Sequence, residues 1–180
     1  ASISPDNLSK IRDYVRPDLQ VELVAFDPAT GLMDLKALRV QINDQTAAVF
    51  IENPSYLGFL ETQAAEIGSI AHENGALFIV GVDPISLGVI NPPVEYGGDI
   101  VCGDIQSLGI HMNYGGGQAG FIATRDEEKF VMQFPSRLFG IATTCVEGEY
   151  GFGDVAYERT SFAVREEGNE WVGTAAGLWG

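Results

Sequence analysis

Two apolar runs, "AAVFIENP" (47–54) and "ALFIVGVD" (76–83), restrict the architecture of this chain more than any other feature. Each is continuous rather than alternating, and each is closed by a turn-forming Asn-Pro or Asp-Pro pair. That is the pattern of a strand buried on both faces, as in a parallel sheet flanked by helices. Between them, "FLETQAAEIGSIAHENG" (59–75) reads as an amphipathic helix with Gly75 as its stop. Strand, helix and strand at this spacing make a βαβ unit.

The flanks extend the alternation. "LQVELVAFD" (19–27) predicts a further strand, and "LMDLKALRVQI" (32–42) a helix with Leu35, Leu38 and Ile42 on one face and Asp34 at its start. "VEYGGDIVCGD" (94–104) and "QAGFIATR" (118–125) each contain a short strand. The expected fold class is α/β: a mostly parallel sheet between two helical layers. With 180 residues, 46% of them hydrophobic, the chain can bury one sizeable core. After residue 130 the alternation stops. "EEKFVMQF" (127–134) predicts a helix ending at Pro135, followed by an excursion built on a hairpin and a helix resuming near Glu167. Residues 1–140 therefore read as one large domain, and 141–180 as an excursion and return helix. The chain starts without Met and stops in the apolar "WVGTAAGLWG", a pattern expected of a piece of a longer protein.

Charge and motif content exclude several function classes. A formal charge of −15, with ten basic residues in no block, argues against nucleic acid and against an anionic membrane surface. No apolar run approaches the ~20 residues of a membrane span. Cys102 and Cys145 lack paired spacing, predict no disulfide or zinc site, fit a reducing cytoplasm and read as small buried hydrophobes. His72 reads as a solvated helical residue, so no metal site is expected. "GGGQAG" (115–120) has neither dinucleotide nor Walker spacing and precedes a strand rather than a helix. "GEYGFG" (148–153) follows no doubly buried strand, and no G-x-S-x-G elbow is present.

In open α/β sheets, ligands sit beyond the carboxyl ends of the strands. That directs attention to Asp27, Glu52, Asn53, Asp83 and the loop from Gly103 to Gly117. Pyridoxal phosphate chemistry would need an anion for the ring nitrogen and a lysine that bonds the aldehyde. Asp83, closing a buried strand, suits the first role, although Asp before Pro is equally an ordinary turn. The lysine is missing. Only Lys10, Lys36 and Lys129 are present, and the turn around Gln106, Ser107 and Leu108 has no amine. A self-sufficient enzyme using Asp83, Asp104 and His111 as acid and base is a further reading.

The series "DPISLGV…GDIQSLG…GGG", with "AVFIENPSYLGFLE" before it, resembles the glycine cleavage system P-protein family, in particular subunit 1 of its two-subunit form. The resemblance spans about residues 20 to 140. It implies the large-domain fold of fold-type I pyridoxal phosphate transferases and a place in a glycine dehydrogenase (aminomethyl-transferring, decarboxylating), an oxidoreductase. It also implies that this chain, inactive alone, is paired with a subunit 2 that carries lysine and cofactor, in a heterodimer that can double to a heterotetramer. The implied reaction is decarboxylation of glycine on pyridoxal phosphate, with the aminomethyl group passing to lipoylated H-protein. No residue here is then catalytic. Asp83, Gln106, Ser107, His111, Asn113, Gly115, Gly116 and Gly117 are the candidate wall of the partner's site. The alternative is a structural or regulatory paralogue without a role in turnover.

Overall fold

The computed structural model describes residues 2–111, 119–134 and 139–154. Contacts divide them into two units, one through Ala123 and one from Thr124.

The first unit contains helices α1 (Pro5–Val15), α2 (Leu35–Gln41) and α3 (Ala64–Glu73). Its strands β1 (Ala48–Glu52), β2 (Leu77–Gly81), β3 (Ile100–Asp104) and β4 (Gly120–Thr124) form one sheet in that order. β1 pairs parallel with β2, and β2 with β3. The Ile105 amide donates to the Ala119 carbonyl where β4 joins. The expected α/β class and parallel pairing are therefore present.

Register explains the core. Val49 lies opposite Phe78, and Ile51 opposite Val80, so all four project from one face. Ile67, Ile70 and Ala71 of α3 cover that face, and Leu38 of α2 joins the same cluster. Arg39 of α2 bridges Glu66 and Glu73 of α3 at 3.3 and 3.7 Å, keeping the two helices together. α2 starts at Leu35, after the beginning of the segment 32–42 that predicts it, and Asp34 stands ahead of the first turn as its cap: one Asp34 oxygen accepts from the amides of Lys36 and Ala37.

Three expectations for this unit need correction. Phe50, Leu77 and Ile79 on the other sheet face are half-buried, so β1 and β2 are fully covered on one side only. The helical layer of α2 and α3 accounts for that one side; α1 touches the other at Glu52. Residues 19–27 form no strand: only Phe26 pairs, in a lone antiparallel bridge with Met33. An isolated segment without a continuous neighbour has no ladder to join. Helix α3 starts at Ala64 rather than near Phe59, because Glu61 is recruited elsewhere. Its carboxylate accepts from the Met33 amide at 2.7 Å and from the Gln63 amide at 3.1 Å. His72 is exposed on α3, as expected of a solvated helical residue, and its Nε2 lies 2.8 Å from Asp99 Oδ2. The same Asp99 oxygen accepts from the Phe78 amide, pinning the entry of β2 beneath α3.

In the second unit, helix α4 (Glu128–Val131) is only one turn long. Strands β5 (Phe139–Thr143) and β6 (Tyr150–Asp154) make an antiparallel hairpin. Beyond Asp154 the excursion expected in this region lies outside the described residues. Cys145, in the connecting turn, is exposed, against the expectation of a buried thiol. The expected return helix lies outside the described residues. Among the described residues, no helix is long and apolar enough to cross a membrane.

Candidate functional site

The carboxyl ends of β2 and β3 lead into short 3₁₀ turns, Pro84–Gly88 and Gln106–Leu108, which pack against one another. Both turns are started by aspartates. Asp83 Oδ1 accepts from the Ile85 amide at 3.1 Å, and Asp104 Oδ1 from the Gln106 amide at 2.6 Å. A carboxylate reaching the amide two residues on is the usual chemistry of Asp in a turn. The ordinary reading of Asp83 therefore describes half of what it does.

The other half is tertiary. Ser107 Oγ donates to the same Asp83 oxygen at 2.9 Å, across 24 residues of sequence. Gln106 Nε2 meanwhile donates to the Ile110 carbonyl at 3.2 Å and shapes the exit from the turn. Thus Asp83, Gln106 and Ser107 stand close together at the carboxyl ends of β2 and β3. His111 is exposed, the last described residue before the glycine run. Asn113, Gly115, Gly116 and Gly117 lie outside the described residues.

Gly103 lets β3 fit here. A Cβ on it would run into the Val82 carbonyl and come within 2.7 Å of the Phe121 ring. Only a missing side chain permits strand, carbonyl and ring to meet this closely.

Next to the site, Glu52 is held by α1: its carboxylate accepts from the Ser4 amide at 2.9 Å and the Asn7 side chain at 2.8 Å. Through Gly81, which has no side chain, Glu52 lies in register with Cys102. Burial pushes the Cys102 thiol up, and the Glu52 charge pushes it further in the same direction. Iodoacetamide at pH 8 is accordingly expected to label exposed Cys145 at least about tenfold faster than Cys102. Glu52→Gln should move the inflection of the Cys102 rate profile to lower pH, measured by mass mapping. An unmoved inflection would contradict the coupling.

Asn53 is buried, its Oδ1 accepting from the Glu61 amide at 3.1 Å. Burial raises the Tyr96 phenol, and the nearby Asn53 amide offsets part of that rise. The pair falls short of full hydrogen-bond geometry, and the hydroxyl has no partner among the described residues. Sequence reasoning missed Tyr96, because its neighbours Asn53 and Phe78 are distant in sequence and no local pattern marks it. Asp27 only closes its own turn, accepting from the Ala29 amide.

These residues do not fit a covalent pyridoxal phosphate site. Lys10 is on α1, Lys36 on α2 and Lys129 on α4, where it pairs with Glu127 at 3.0 Å. The turn beyond β3 carries a serine hydroxyl bonded to Asp83 and no amine. Among the described residues, no three His, Cys, Asp or Glu side chains are grouped to hold a metal.

Residues 1–175 match the glycine cleavage system P-protein family. A probable glycine dehydrogenase (decarboxylating) subunit 1 of Staphylothermus marinus is 42% identical over 153 residues, 84% of this chain and 32% of that protein. Its counterpart in Pyrococcus furiosus is 42% identical over 149 residues, 82% of this chain and 33% of the relative. The chain thus spans about a third of the length of the curated relatives it matches. A crystal structure of glycine decarboxylase (P-protein) in inhibitor-bound form superposes with a TM-score of 0.77 at 34% identity, covering 98% of this chain and 38% of that one. With the family match over nearly all its residues, this chain belongs to the glycine cleavage system P-protein family.

Proposed function

We propose that these residues are part of the glycine decarboxylase subunit that lacks the cofactor lysine. The whole enzyme decarboxylates glycine on pyridoxal phosphate and passes the aminomethyl group to lipoylated H-protein. Subunit 2 holds the cofactor, whose ring stabilises the carbanion left as CO2 departs. This chain contributes a wall that includes Asp83, Gln106, Ser107 and His111; its other candidates, Asn113 and Gly115–Gly117, lie outside the described residues. Residues 1–140 belong to its large domain, and 141–180 lead toward the C-terminal region. The complex is a cytoplasmic heterotetramer.

One observation carries this reading: in the unit that holds the sheet, Lys10 and Lys36 lie on α1 and α2, no lysine follows a strand, and Ser107 is bonded to Asp83 at the carboxyl edge. The test mixes the full-length subunit with its subunit 2 and follows exchange of labelled CO2 into glycine. Neither subunit alone should exchange, and the mixture should. A full-length subunit that leaves subunit 2 as inactive as before would favour the structural paralogue. Borohydride trapping of the cofactor on Lys10, Lys36 or Lys129 would overturn the lysine-less assignment outright.

A further inference from the structure

One carboxylate ties the loop that leaves β1 to the segment before α2. Glu61 is half-buried, and its Oε2 accepts from the Met33 amide at 2.7 Å. Its Oε1 accepts from the Gln63 amide at 3.1 Å and from Gln63 Nε2 at 3.4 Å. Gln63 Nε2 also donates to the Met33 carbonyl at 3.2 Å, which closes a ring of bonds around Met33. A carboxylate accepts on both oxygens, whereas a glutamine carboxamide replaces one of them by a donor.

The backbone of the same residue reaches the sheet. The Glu61 amide donates to Asn53 Oδ1 at 3.1 Å, and Asn53 is buried. The Asn53 amide donates to the carbonyl of Gly81, the last residue of β2, at 2.9 Å. The Val82 amide then donates to the Cys102 carbonyl at 2.9 Å. Asp83 follows directly, bonded to Ser107. Glu61 therefore heads a short series of bonds that ends where Asp83 and Ser107 meet.

We propose that Glu61 is a positioning residue of the candidate site: by fixing Asn53 against the end of β2, it holds Asp83 where Ser107 reaches it. The inference rests on the functional reading above and adds a residue outside the wall named there. Polar bonds shielded from water select one arrangement, because a partner left unpaired is costly. Loss of one acceptor at position 61 leaves either the Met33 or the Gln63 amide without its bond. The loop then regains freedom at Asn53, the point it shares with the sheet.

The experiment follows amide hydrogen exchange in the full-length subunit by peptide mass spectrometry, for Glu61→Gln and for Asn53→Ala. Glu61→Gln keeps the side-chain volume and should speed exchange at least about threefold at Met33 and in the turns 84–88 and 106–108. Asn53→Ala removes the acceptor between Glu61 and the sheet, so it should loosen the same two turns and leave Met33 protected. With subunit 2 added, either variant should raise the glycine KM for CO2 exchange at least about threefold. A smaller folded fraction would lower kcat and leave KM as it was, and that result would overturn the positioning role. Faster exchange at Met33 alone, with both turns unchanged, would overturn it too and leave the functional reading standing. Loosened turns with kcat and KM both unchanged would overturn the wall itself and, with it, this inference.

Discussion

Phe78→Ala is expected to lower folding stability by about 3–5 kcal/mol, the range seen when a buried aromatic ring is removed. Phe78 is 0% exposed near the start of β2, opposite Val49 in register and packed with Ile67 and Ile70 of α3. Its ring also lies 6.4 Å from the Tyr96 ring, so its loss opens space on two sides. The backbone there cannot collapse readily, because the Phe78 amide and carbonyl are both bonded to Asp99. Urea unfolding followed by far-UV circular dichroism measures the difference. A loss below about 1 kcal/mol would mean that the ring is not part of a close-packed core.

Gly103→Ala has the second large effect, and it reaches the site. The added methyl meets the Val82 carbonyl and the Phe121 ring, neither of which is the free end of a flexible side chain. Overpacking of this kind costs about 1–3 kcal/mol. The strain falls on β3 one residue before Asp104, which starts the turn carrying Ser107. Separation of Ser107 from Asp83 should therefore accompany the stability loss, and the reconstituted exchange rate should fall further than the folded fraction does. Gly88→Ala is the control: its Cβ would meet nothing within 4 Å, and its stability should change by less than about 0.5 kcal/mol. Equal effects at the two glycines would remove the steric argument.

The strands and helices that were readable in advance share one property: their signal is local. The apolar runs at 47–54 and 76–83 are strands because consecutive residues are apolar and Pro punctuates them. Asp34 caps α2 through amides two and three residues away. The absence of a lysine near residues 106–108 is likewise a matter of composition, and it anticipated the most informative feature of the sheet edge. The segment at 19–27 failed the same test because alternating apolar residues state a preference for extended backbone without supplying a partner strand.

Residue order alone establishes the βαβ alternation, the carboxyl-edge location of the turns and the lack of an amine there, since each follows from neighbours within a few positions. The folded chain was needed to reveal that Ser107 donates to Asp83, that Asp99 ties His72 to β2 and that Glu52 faces Cys102 over Gly81. Those contacts join residues tens of positions apart. Strand register brings them together, and register is set by how the whole sheet packs under α2 and α3.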